Sequence, residues 1–198
     1  MYREILARWD RFASAQSRNR HLPPRLLTHL TPGQSVLDIG TSDGRLAREL
    51  LRREPRLKIT GIDPHPRAMT YIPVIEANGY DLPFEPDAFD TVMLVDVLHH
   101  DLDPERILRE AKRVARGWLL IKDHYWVTTV DRALLRLSDY FGNRAYDIPL
   151  PYNYLRLEQW SELFGSLEAR VVATETFRYS AYDRCKQVTF LLDIGAKE

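Results

Sequence analysis

The first residues able to do chemistry lie in Val36-Leu37-Asp38-Ile39-Gly40-Thr41-Ser42-Asp43-Gly44. Small residues at 40, 42 and 44 let a chain turn tightly and meet a ligand without a Cβ in the way. The Gly-x-Gly-x-x-Gly pattern that sets a dinucleotide pyrophosphate on a helix N-terminus is absent. Asp38, at the strand end itself, would repel a pyrophosphate and suits a ligand carrying an ammonium group. Asp63 follows Gly44 by 19 residues, where a carboxylate can accept both hydroxyls of a ribose. A ribose, a cationic amino-acid end and no phosphate together describe S-adenosylmethionine.

A second set is histidine-rich: His99 and His100 after one apolar run, and Lys122, Asp123 and His124 after the next. Methyl transfer from a sulfonium needs alignment and exclusion of water. A hydroxyl acceptor also needs a base, and imidazole titrates in the right range. His99, His100 and His124 are therefore the candidate catalytic residues. Asp123 and His124 are not read as a dyad, because neighbours on an extended segment point apart. Asp96, His99, His100, Asp123 and His124 contain no tight metal-ligand motif, and no metal is assigned. A third set, Asp139-Tyr140-Phe141-Gly142-Asn143 and Leu150-Pro151-Tyr152-Asn153-Tyr154, mixes aromatic and amide side chains as an amphipathic lid would. Tyr140, Asn143, Tyr152, Asn153 and Tyr154 are its candidate substrate-binding residues.

These residues need a scaffold. Ser35–Ile39, Lys58–Asp63, Pro73–Glu76, Phe89–Val97 and Trp118–Lys122 read as short apolar strands, with a helix at Arg45–Arg53 and another that Asp103 caps and Pro104 opens. Val130, Leu134, Leu137 and Phe141 mark a further helix with an apolar face, and Glu158–Phe164 another. Two β-rich runs, Ala169–Thr176 and Gln187–Asp193, are joined by about ten residues, too short for a crossover helix, so they pair antiparallel. At the N-terminus, Tyr2, Ile5, Leu6, Trp9 and Phe12 form an amphipathic helical pattern, and Pro23 and Pro24 open a second helix that Pro32 and Gly33 close. The expected architecture is α/β: a doubly wound, mostly parallel seven-stranded sheet ending in an antiparallel hairpin, with ligands at the carboxyl ends of the strands. The chain reads as a single domain: a helical cap (1–33), a cofactor-binding core (34–125), a substrate-side insertion (126–165) and a terminal hairpin (166–198).

The 198 residues carry 28 Lys+Arg and 28 Asp+Glu, a net charge of zero. A nucleic-acid binder relying on a strong overall positive field is not expected. The charge is nonetheless uneven: residues 1–25 hold six Arg against Glu4 and Asp10, and 76–110 hold ten acids against Arg106 and Arg109. With no apolar run of about 18 residues and no signal-peptide core, a cytoplasmic protein is the default, without integral membrane association. Cys185 is the one cysteine and has no partner for a disulfide.

Over residues 34–125 several motifs in order resemble the class I S-adenosylmethionine-dependent methyltransferases, whose strand-one motif is acid-x-Gly-x-Gly-x-Gly. Here it reads Asp38, Gly40, Ser42, Gly44, with Ser42 replacing the middle glycine. Gly-Ile-Asp-Pro-His-Pro at the second strand, Asn-Gly-Tyr-Asp-Leu-Pro-Phe before the fourth and Asp-Val-Leu-His-His after it continue the likeness. It implies that Asp38, Gly40, Thr41, Ser42, Gly44, Asp63, Pro64, Asn78, Gly79 and Asp96 bind the cofactor, with Asn78 where an Asp usually meets the adenine amino group. Only about nine residues, 64–72, separate strands two and three, so the usual helix there is vestigial. In this the chain resembles a methyltransferase type 11-like bacterial subgroup, which also carries Ile-Lys-Asp-His after strand five and an Asn-Tyr-rich loop. The function so implied is methyl transfer to a small-molecule acceptor, most readily a hydroxyl oxygen of an aromatic or lipid-like metabolite. The competing readings are a non-catalytic S-adenosylmethionine-binding module and a nicotinamide-dependent oxidoreductase.

Overall fold

The computed structural model describes residues 18, 20–143, 150–179, 183 and 185–195. The amphipathic stretch from Tyr2 to Phe12 lies outside the described residues. Seven strands form one sheet: β1 (Ser35–Ile39), β2 (Lys58–Asp63), β3 (Val74–Glu76), β4 (Phe89–Val95), β5 (Ala115–His124), β6 (Arg170–Phe177) and β7 (Gln187–Asp193). Their spatial order is β3-β2-β1-β4-β5-β7-β6. β7 runs antiparallel to both its neighbours, and the pairs among β1–β5 are parallel. The order reverses between β1 and β4, and a crevice at that switch is where such sheets bind ligands.

Alternation along the central strands explains why the sheet is covered on both faces. Leu37 and Ile39 of β1, Val92 and Leu94 of β4, and Leu119 and Ile121 of β5 face one cluster with Leu108 and Ala111 of α3 (Pro104–Val114) and with Trp160 and Phe164 of α5 (Leu157–Ser166). Val36, Met93, Val95 and Leu120 face the other, against Leu46 and Leu50 of α2 (Arg45–Arg53) and Leu22 and Leu26. A strand buried on both sides must be nearly all apolar, as β4 is. Burial of each large apolar side chain stabilises the fold by about 1.5 to 3 kcal/mol.

β3, α5 and β6 shift by one or two residues at their ends, and three other boundaries differ in ways that bear on the site. Helix α1 occupies residues 20–27 and Arg18 is already helical, so Pro23 and Pro24 lie within a helix and do not begin it. Their fixed φ is a helical value, and the cost is the missing N–H. β5 is longer than Trp118–Lys122 at both ends, starting directly after α3 and continuing through Asp123 and His124. β4 stops at Val95 because Asp96 turns to φ 58°, which aims the chain out of the sheet into a single 3-10 turn at Leu98–His100. Between β2 and β3 residues 64–73 form no helix, as expected.

Helix α4 (Thr129–Asn143) forms where Val130, Leu134, Leu137 and Phe141 mark it, but its apolar stripe is not its buried face. Of the apolar residues that mark it, Val130, Leu137 and Phe141 are 64%, 54% and 52% exposed and Leu134 is half-buried, while Leu135 is buried at 2%. The inward face is instead Asp131, Leu135 and Asp139, spaced i, i+4, i+8. Asp131 pairs with Lys186, and Asp139 meets the histidines.

Candidate functional site

The bend after β1 is a run of left-handed residues: Gly40 at φ 71°, Ser42 at 58° and Gly44 at 73°. A Cβ on Gly40 would stand 2.5 Å from Val97 Cγ2, and one on Gly44 2.5 Å from Ile72 Cγ1. Both positions are therefore closed to larger residues by conformation and by space. Ser42 adopts the same backbone region at the position the motif gives to glycine. Its N–H donates to Asp63 Oδ2 at 2.9 Å, and Arg67 Nε donates to its hydroxyl at 3.3 Å. The other oxygen of Asp63 accepts from the N–H of His65, just past Pro64, at 2.9 Å. Asp63 thus holds two loops together, and each of its oxygens keeps a lone pair for a further donor.

Asp38 is 2% exposed and accepts from the Thr41 hydroxyl at 2.6 Å. Burial pushes its carboxyl up to about 6, against the opposing hydrogen bond from Thr41 and the charge of Arg18. A nearby cation would favour the ionised form of such a buried carboxylate. On β3's far side, Asn78 Oδ1 accepts from the N–H groups of Tyr80 and Asp81 at 2.9 and 3.0 Å, so the oxygen expected to meet an adenine amino group already closes a turn. Gly79 packs against Ile107, which a Cβ there would approach to 3.3 Å.

Asp96 is the hub of a charged group between β4, β5 and α1. Lys122 Nζ binds its Oδ1, the Arg18 guanidinium lies 3.0 Å from Oδ2, and His124 Nε2 is 3.5 Å away. Burial would raise the Asp96 carboxyl, but the Lys122 and Arg18 charges hold it well below the ordinary range. Burial and the Lys122 charge push His124 down to about 3, so it stays neutral at physiological pH.

His99 and His100 share the 3-10 turn. His99 Nδ1 meets Asp123 Oδ1 at 2.6 Å. Since a carboxylate only accepts, Nδ1 carries the proton and Nε2 is turned away from β5. Burial would lower the His99 pKa, but the Asp123 charge and hydrogen bond, with Asp96 and Asp139, raise it. His100 moves the other way, through burial and the neighbouring His99. Asp123 accepts from the backbone N–H of His124 at 2.7 Å and from no side chain of it, as expected for adjacent residues on a strand. The Tyr154 ring stacks on His99 with centroids 5.2 Å apart and planes at 23°.

The lid residues divide. Asn153 is a tie: its N–H donates to the His99 carbonyl and its Nδ2 to the Asp101 carbonyl, both at 3.1 Å. Tyr154 is 4% exposed behind His99. Tyr152, at φ 57°, lies under the Arg136 guanidinium at 4.8 Å. Tyr140 is 38% exposed beside Phe141, and the side chain of Asn143 is outside the described residues. Three contributors were missed by sequence reasoning. Asp139 carries a signal, an acid one turn beyond Leu135 on the buried face. Arg67 is a cation in an otherwise proline-rich short loop, and Arg18 carries no signal at all.

Residues 37–121 match the family model described as "Methyltransferase domain". Over those residues, less than half of the chain, it carries a methyltransferase domain of the class I S-adenosylmethionine-dependent kind, and the nicotinamide reading is set aside. Among curated proteins it is similar to a demethylmenaquinone methyltransferase of Thermotoga maritima, 31% identical over 98 residues, 46% of this chain and 42% of the relative. It is also similar to a tRNA U34 carboxymethyltransferase of Hahella chejuensis, 27% identical over 163 residues, 75% of this chain and 50% of the relative. The chain thus spans half or less of the length of these relatives. A Haloferax volcanii methyltransferase, solved in complex with the Trm112 methyltransferase activator, has the same fold, with a TM-score of 0.73, 16% identity and coverage of 100% of this chain and 99% of that one. S-adenosylmethionine, the cofactor of such domains, is compatible with the bend: the buried Asp38 carboxylate would suit its ammonium group, the spare lone pairs of Asp63 would suit its ribose hydroxyls, and the left-handed residues would let it approach the backbone. When bound it supplies an electrophilic methyl group.

Proposed function

We propose that this chain methylates a hydroxyl oxygen of a small aromatic or lipid-like acceptor, using S-adenosylmethionine held by Asp38, Gly40, Thr41, Ser42, Gly44, Asp63, Pro64, Gly79 and Asp96, with the Asn78 turn beside the adenine. The observation that carries this reading is the 2.6 Å pair of His99 and Asp123 at the carboxyl ends of β4 and β5. An acceptor hydroxyl must lose a proton as its oxygen takes the methyl, and an imidazole fixed by a carboxylate on its far nitrogen is built to receive that proton. His100 and His124 border the same space. Rings 4.1 Å (His99–His100) and 5.2 Å (His99–His124) apart, with Tyr154 stacked on His99, give a flat acceptor an aromatic wall. Tyr140, Tyr152 and the 126–165 segment supply the acceptor side, and Asn143 is assigned there on the sequence pattern. The quinone named for the Thermotoga maritima relative supports a flat, lipid-like acceptor.

The test is transfer of labelled methyl to a panel of hydroquinones, phenols and unmodified tRNA. Label on a phenolic oxygen, lost in Asp123→Asn with cofactor affinity retained, supports the reading. Label on tRNA alone, or full turnover in Asp123→Asn, overturns it.

A further inference from the structure

His99, His100 and Asp139 converge without bonding one another. Asp139 Oδ1 stands 3.9 Å from His99 Nε2 and 3.7 Å from His100 Nε2, beyond hydrogen-bond reach in both cases. One donor atom from each of the three residues lies within 4.8 Å of the others. A first-row ion with bonds of about 2.1 Å holds tetrahedral ligand atoms about 3.4 Å apart, against 3.7 and 3.9 Å for the two histidine–carboxylate pairs. We propose that these three residues bind one divalent transition-metal ion of the zinc class, with two imidazole nitrogens and one carboxylate oxygen as its protein ligands.

The surroundings are those of a metal centre. His99 gives its other nitrogen to Asp123 at 2.6 Å, the carboxylate–histidine arrangement that fixes a ligand's tautomer and ring direction. The Tyr154 hydroxyl donates to the Leu135 carbonyl, one turn before Asp139, at 3.3 Å, which ties the helix carrying the ligand carboxylate to the residue stacked on His99. His99 and Asp139 side chains are 4% and 8% exposed, and His100 19%, so the ion would sit inside the protein with access from the His100 side. The donor set selects a borderline cation and disfavours magnesium or calcium, which take oxygen ligands. The 3-10 turn allows neighbouring histidines to act together: on a strand their rings would point to opposite faces. Three protein ligands leave a coordination position open. On the proposed function, His99 Nε2 is the base in the metal-free protein and a ligand in the loaded one, where an acceptor hydroxyl held by the ion would have a lowered pKa and release its proton to solvent.

Chelator-stripped protein titrated with Co²⁺, with neither cofactor nor acceptor present, tests the site itself. Saturable uptake of one equivalent with visible d–d absorption, displaced by Zn²⁺, is expected. His100→Gln and Asp139→Asn should each weaken binding at least tenfold, and Asp123→Asn, which touches only a ligand's far nitrogen, by about 10- to 100-fold. No saturable uptake by the wild-type protein overturns the proposal whatever the variants do. So does unchanged affinity in His100→Gln, whose fold is checked by circular dichroism. Because no acceptor is used, a wrong acceptor class leaves this result untouched, and absence of metal binding leaves His99 as the base.

Discussion

Lys122 and Asp96 join the carboxyl ends of β5 and β4 through an ion pair whose lysine side chain is 1% exposed. The strand register places Lys122 opposite Val95, and the left-handed Asp96 donates its N–H to the Lys122 carbonyl at 2.8 Å. The two residues are thus bound by backbone and by charge at the carboxyl edge of the sheet.

Breaking one side of this pair leaves a buried charge. Asp96→Asn strands Lys122 and should cost about 3 to 5 kcal/mol. Lys122→Met should cost less, because Arg18 at 3.0 Å still neutralises Asp96. The double variant should recover part of the loss, and urea denaturation of the four proteins measures the coupling. The Asp96 carboxyl is held far down, so its contribution is complete above about pH 4 and is lost as pH falls further. Additive costs, or an acid limb unchanged in Asp96→Asn, would contradict the assignment.

Asp38 carries the opposite sign. Its folded pKa lies near 6 against 3.8 unfolded, so it binds a proton more tightly in the native state. That stability is present below about pH 4 and disappears as pH rises to 6, leaving an ionised buried carboxylate that costs about 3 kcal/mol. Asp38→Asn should therefore stabilise the cofactor-free protein by about 1 to 3 kcal/mol at pH 7.5, where wild type carries the full cost. A cationic ligand favours the ionised form, so affinity for S-adenosylhomocysteine should rise with pH through about 6 in wild type and be flat in the variant. Calorimetry over pH 5–8 reads both, and a flat wild-type profile would remove the ammonium role.

Gly40 meets two constraints that can be separated. A non-glycine residue at φ 71° costs about 1 to 2 kcal/mol, and the 2.5 Å approach to Val97 Cγ2 adds overpacking of about 1 to 3 kcal/mol. Gly40→Ala should lower stability by the sum. Adding Val97→Ala should recover only the steric part, and equal stability of the single and double variants in thermal melts would show that the clash is absorbed elsewhere.

The central sheet was legible because β1, β4 and the middle of β5 are buried on two faces and their apolar runs leave no alternative period. The bend at 40–44 was legible because positive φ selects small residues in a short string. The histidine cluster was only half legible. His99, Asp123 and Asp139 come from three elements, and nothing local states that a turn at 98–100 will face an acid on a helix 40 residues later. Asn153 and Asn78 were read as ligand contacts, yet their amides close loops, a use amides share with binding and that composition does not distinguish. The orientation of α4 was not legible for a related reason: the rule that apolar stripes face inward assumes an apolar interior, and the interior at this point is a polar site.

That reversal of α4 gives the last prediction. Leu135 is 2% exposed and Tyr154's hydroxyl reaches its carbonyl at 3.3 Å, so Leu135→Ala should cost about 2 to 5 kcal/mol through the cavity it leaves behind His99. Leu137, two residues on, is 54% exposed. Leu137→Lys should change stability by less than about 0.5 kcal/mol, as surface substitutions do. If the apolar stripe faced the core, the order would be inverted, with the lysine unfolding the protein and the alanine tolerated. Chemical denaturation of the two variants decides between these orientations, and with them whether Asp139, one turn beyond Leu135, faces the histidines or solvent.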